Sequence, residues 1–120
     1  MASNPVLDVK MTPLKNVWKS VMLQLNAMGE DSDDATVRDA ASRLMAEMRE
    51  SAKPGASHHR WGEFFARFCH LIDIDIKRVS DEQPRSLDEA WMAEKEIDAL
   101  EALRAGAEAW GKIYSARYSI

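Results

Sequence analysis

Residues 86–118 read SLDEAWMAEKEIDALEALRAGAEAWGKIYSARY, a run of more than thirty residues without proline, and its reading decides the fold. Ser86-Leu87-Asp88-Glu89 has the form of a capping box, in which the serine and the glutamate each satisfy an orphan backbone N–H. From Ala93 the apolar positions are Ala93, Ile97, Leu100, Leu103, Ala107, Trp110 and Tyr114. Their three- and four-residue steps average about 3.5, the spacing of a coiled-coil seam. Leu87 and Trp91 fall on the other side of the same helix. Such a helix either packs on two neighbours along its length or breaks near Gly106 or Gly111. As a single helix from Leu87 to Tyr118 it would be about 48 Å long. A compact domain of this size is only about 35 Å across, so the helix is expected to overhang its own domain and to be covered by something else.

Upstream of this run the chain divides into further helical stretches. Residues 1–11 read as an N-terminal arm, with Pro5 and the apolar Val6, Leu7, Val9 and Met11. Thr12-Pro13 then offers an N-cap followed by a proline at the first helical position. Leu14, Val17, Trp18, Val21, Met22, Leu25 and Met28 follow at helical spacing, and Gly29 reads as a stop. The acidic segment Glu30-Asp31-Ser32-Asp33-Asp34 suits the positive end of a second helix dipole. That helix carries Val37, Ala41, Leu44, Met45 and Met48 and must end near Ala52, before Lys53-Pro54-Gly55. A third helix, capped by Ser57, places Trp61, Phe64, Phe65, Phe68, Leu71, Ile72, Ile76 and Val79 within roughly 140° of arc, a face wide enough for the centre of a core. Ile72-Asp73-Ile74-Asp75-Ile76 alternates like a strand, so residues 73–79 read two ways, with helix favoured because no second strand presents itself. As helix, this segment exposes Ile74 and turns Asp75 toward the core, where the carboxylate needs a partner.

The expected fold is therefore all-α: one domain over residues 12–120, a four-helix bundle-like arrangement at about 12–28, 34–52, 58–79 and 87–118. A homodimer is expected, built mainly through the last helix. Leu100→Glu on the seam is expected to split that dimer while leaving the helices intact.

Composition narrows function more by exclusion than by assignment. The 120 residues carry a formal charge of −4, which does not suit direct nucleic-acid binding. Residues 80–101 hold Asp81, Glu82, Asp88, Glu89, Glu94, Glu96, Asp98 and Glu101 against Arg85 and Lys95, a local charge of −6. Lys15 and Lys19 beside Trp18 are too few for a phosphate-binding surface. The single cysteine, Cys69, excludes an internal disulfide and points to a reducing, cytoplasmic setting. No stretch approaches the roughly 20 apolar residues of a membrane span.

Candidate chemistry is thin. His58, His59 and His70, with Glu63 one turn from His59 and Cys69 beside His70, lack the converging second pair that a closed zinc site needs. Asp73 and Asp75 point to different sides of a helix, and no glycine spacing suits a phosphate loop. The methionines, Met22, Met28, Met45 and Met48 among them, fit core filling. No metal, cofactor or catalytic residue is expected.

What remains is an interaction protein. Trp91, Ile97, Leu100, Leu103, Trp110 and Tyr114 are the expected apolar anchors for a partner, with small residues at Ala99, Ala102, Ala105, Gly106, Ala107 and Ala109 allowing close approach. Glu94, Asp98 and Glu101 would steer association with a basic partner surface. The expected role is a non-enzymatic regulator that inhibits or modulates a partner protein by occupying its surface. A self-assembling structural protein and a small-molecule-binding bundle are the alternatives.

Overall fold

The computed structural model describes residues 13–55 and 60–118, and these are all helical apart from caps and turns. Four helices follow in order: α1 (Leu14–Asp31), α2 (Ala35–Ser51), α3 (Trp61–Asp81) and α4 (Leu87–Tyr118). Each packs antiparallel against the next, and α4 closes back on α1, giving an up-down-up-down arrangement. Residue pairs fix the directions: Trp18 stacks on Trp61 at 4.8 Å, Asp73 pairs with Arg104, and Trp61 meets Tyr114 at 5.0 Å.

The local signals explain the boundaries. Asp34 caps α2 by accepting from the Thr36 N–H at 2.9 Å, and Gly55 makes the turn after α2 at φ +83°, a conformation that suits glycine. Ser86 caps α4 by accepting from the Glu89 N–H at 3.1 Å. The reciprocal half of the box is displaced by one residue, since the Glu89 carboxylate accepts from Arg85 N–H at 2.6 Å. Pro13 occupies the cap position of α1 instead of its first turn, and its carbonyl accepts from Asn16 and Val17. The arm 1–11, the Thr12 cap and the Ser57 cap with His58 and His59 lie outside the described residues.

One reading of the helices is corrected, and the favoured helical reading of residues 73–79 holds. Gly29 does not stop α1, which continues to Asp31. A Cβ there would lie 2.8 Å from Ser42 Oγ, so the glycine serves the close approach of α1 to α2. Residues 73–79 belong entirely to α3. Ile74 faces solvent, whereas buried Asp75 accepts from Gln24 Nε2 at 3.1 Å and lies 3.5 Å from Arg78 Nε.

One core joins all four helices. It centres on α3, whose Phe64, Phe65, Phe68 and Ile72 are essentially inaccessible and meet Val21 and Leu25 of α1 and Met48 of α2. Against α3, helix α4 comes very close at the Trp61 end. A Cβ on Gly62 would lie 3.0 Å from the Ser115 N and 3.1 Å from the Gly111 carbonyl, and one on Gly111 would lie 3.0 Å from Phe65 Cβ. Helix α4 is continuous through Gly106 and Gly111. Its 32 residues span about 48 Å, whereas the 18 residues of α1 span about 27 Å and the 21 of α3 about 32 Å. Length alone therefore leaves part of α4 without a facing helix.

Candidate functional site

The mismatch in length falls at the start of α4. The last ion pair tying this end to α3 is Arg78 Nη2 to Glu96, at 3.7 Å. Ahead of it, Leu87, Trp91 and Met92 are 89%, 57% and 61% exposed. Three large apolar side chains on two successive turns of one helix are more than the scatter of single apolar residues expected on a surface. Lys95 sits over the Trp91 ring at 5.5 Å, leaving the rest of the indole open.

Acidic side chains surround this apolar group. Asp88, Glu94, Asp98 and Glu101 are exposed, and among the described residues none has a cationic partner within 4.0 Å. At the end of α3 the exposed acids are answered locally, Asp81 by Lys77 at 2.8 Å and Glu82 by Arg78 at 3.0 Å. The exposed Glu30, Asp31, Asp33 and Asp39 around the α1–α2 turn, like those of α4, have no cationic partner within 4.0 Å among the described residues. The start of α4 thus carries a net negative charge beside a largely exposed aromatic ring, with Lys95 the cation lying over that ring.

The later part of the helix behaves differently. Leu100 and Tyr114 are each only 6% exposed, and Ala107 is fully buried. Ile97, Leu103 and Trp110 are half-buried against the same core, with the Trp110 and Tyr114 rings 6.2 Å apart. The seam read from the sequence is real, but α1 and α3 cover it. Leu100 and Tyr114 are consequently core residues of this chain and not surface anchors, because their side chains fill the space between α4 and its neighbours. Of the expected anchors and steering residues, Trp91, Glu94, Asp98 and Glu101 stand on the surface. Leu87 and Met92 join them although neither was singled out as an anchor. Met92 was legible in principle: it lies two turns before Ala99, on a helical stripe with Leu103, Gly106 and Trp110 along the edge of the seam.

That stripe forms one wall of a groove between α1 and α4, with a volume of about 520 Å³. Val17 and Leu100 lie at its floor, and Leu23, Ala99, Ala102, Leu103 and Gly106 line it, with Ser20, Gln24 and Glu96 as its polar members. Leu23, 63% exposed, lies on the α1 wall opposite the core-facing stripe of its own helix. A second depression of about 700 Å³ lies between α2 and α3, but its charges answer one another, with Arg67 pairing with Glu47 at 2.7 Å and with Glu63.

The groups with catalytic potential are tied into structure. Cys69 is buried, donates weakly to the Arg104 carbonyl at 3.6 Å, and burial pushes its thiol up, away from the reactive thiolate. Asp73 is held by Arg104 through bonds of 2.6 and 3.2 Å. Among the described residues no group of three or more His, Cys, Asp or Glu side chains converges as metal ligands would, and no helix is long and apolar enough to cross a membrane. Comparison with protein-family models, with curated proteins and with solved structures finds no match.

Proposed function

We propose that this protein is a non-enzymatic regulator that binds a partner protein and inhibits or modulates it by occupying its surface, using the first turns of α4. The observation that carries this reading is the exposure of Leu87, Trp91 and Met92 together, beside Asp88, Glu94, Asp98 and Glu101 without cationic partners. Aromatic side chains supply most of the binding energy when a partner desolvates them, and rim charges raise the rate and selectivity of association.

A homodimer through α4 is the second reading. Because the seam is occupied within the chain, such a dimer would have to use the same exposed turns. A two-fold interface there would set the acids of one copy against those of its mate, which is unfavourable. The foreign partner is therefore preferred.

The test is site-specific photo-crosslinking from position 91, with the exposed Lys19 position on α1 as control. A discrete adduct with one foreign protein at position 91, absent at position 19, supports the proposal. Reversing Glu94, Asp98 and Glu101 to lysine should slow formation of that adduct, and less so at high salt. No adduct, equal labelling at both positions, or an adduct of twice the chain's own mass would overturn it.

A further inference from the structure

We infer that the groove between α1 and α4 is the seat of a basic amphipathic α-helix supplied by the partner. The inference rests on the reading above and specifies the shape and charge of what that surface takes.

Three observations converge on a helix. The surface on offer is built from helices whose backbone groups are already bonded internally, so it has no strand edge for an extended peptide to join. The groove lies between two antiparallel helices and is walled on the α4 side by Ala99, Ala102 and Gly106, at helical spacing. Side chains this small let a third helix approach closely and leave room for its larger apolar residues. On α4, Met92 stands two turns before Ala99 on the same stripe, so the groove runs on toward the overhanging turns that carry Trp91.

Charge decides which helix. Asp98 and Glu101, exposed on the outer side of α4 without cationic partners among the described residues, make the rim beside this wall negative. Glu96 within the groove is already paired with Arg78 at 3.7 Å, and the α1 wall presents Ser20 and Gln24. A helix with Lys or Arg along the side facing α4 completes the pairing. An anionic membrane or a nucleic acid would meet repulsion. A second copy is also a poor occupant. Among the described residues, each helix already lays its main apolar face into its own core.

Fluorescence anisotropy with two labelled 21-residue synthetic helices tests this. Both carry one leucine–alanine face, with lysine on the polar face in one and glutamate in the other. The lysine helix should bind the intact protein at least about tenfold more tightly than the glutamate helix, and more weakly as salt rises. Ala102→Gln fills the groove from an exposed position without altering charge, and should weaken binding by about tenfold or more, as loss of a central contact does. Circular dichroism verifies that this variant keeps its fold. Asp98→Lys with Glu101→Lys should erase the preference for lysine, while Lys15→Glu, on the outer face of α1, should leave it intact. Equal binding of the two helices, binding of neither, or indifference to Ala102→Gln would overturn the groove assignment. If crosslinking at position 91 still finds a foreign protein, the interaction reading survives that failure; if crosslinking finds none, the function itself is wrong.

Discussion

Helices α3 and α4 are the two longest in the molecule and pack against one another, yet they use their apolar residues in opposite ways. Along α3, Trp61 to Val79 hold one phase, and their side chains reach the core from a single broad face. Along α4 the apolar side chains shift around the axis, so that over 32 residues they nearly cancel in direction. The section from Leu100 to Tyr114 lies in phase with α1 and α3 and is largely buried, while Leu87 and Trp91 point away from that face and Met92, on the groove stripe, is left exposed. Apolar content alone does not bury a side chain. It has to coincide with a neighbour in both angle and position along the axis.

Substitutions can break this contrast, beginning where it should be strongest. Phe68→Ala in α3 empties a fully buried site and should destabilise the fold by about 3–5 kcal/mol in urea titration. A loss below about 1 kcal/mol would mean that the core is not centred on α3. Leu100→Ala should cost about 2–4 kcal/mol despite its position in the helix expected to serve a partner. For the same reason Leu100→Glu buries a carboxylate and unfolds the chain before it can report on any dimer, so Leu87→Glu is the sound replacement in light-scattering measurements of mass. Gly62→Ala forces a methyl group against the backbone of Gly111 and Ser115 and should cost about 1–3 kcal/mol. Thermal melts would reveal whether the α3–α4 contact is that tight.

At the opposite end of the scale, Trp91→Ala should leave stability within about 0.5 kcal/mol, as surface substitutions usually do. A larger loss would show that the overhanging turns pack on the body after all. The smallest expected effect concerns acid. The hydrogen bond from Arg67 holds the Glu63 carboxyl below the usual carboxylate range. A depressed folded-state pKa contributes stability above the unfolded value and loses it as pH falls through the carboxylate range. Arg67→Ala should therefore lower stability slightly near neutrality and soften the decline below about pH 5. Urea midpoints at two pH values would measure it, and an unchanged pH slope would remove the pair from the account.

Much of the fold was legible before any coordinates. Pro54-Gly55, Pro84, the acidic segment 30–34 and the Ser86 cap divide the chain, and helical spacing identifies Val17, Val21, Leu25, Leu44, Phe64, Phe65 and Phe68 as core. Gly29 misled because a glycine within a helix and a glycine after one look alike in sequence; only the approach of Ser42 tells them apart. Asp75 required a neighbour the sequence could not nominate, since Gln24 lies 51 positions away. For the candidate surface, Trp91 and its acids were readable, but Met92 and Leu23 were not recognised. Leu23 is exposed because it lies opposite the core-facing stripe of α1, whereas the exposure of Met92 depends on which side of α4 the neighbouring helices cover.

The sequence by itself determined that this chain is helical, that prolines interrupt it after α2 and before α4, that Ser86 caps the last helix, and that its acids gather at the start of that helix. These follow from local propensities, spacing and counting. Tertiary structure decided which apolar side of α4 is covered, turning Leu100 and Tyr114 inward and leaving Leu87, Trp91 and Met92 outside. The physical reason is that burial belongs to pairs of surfaces: a stripe on one helix gains from leaving water only where another helix, of sufficient length and matching phase, lies against it.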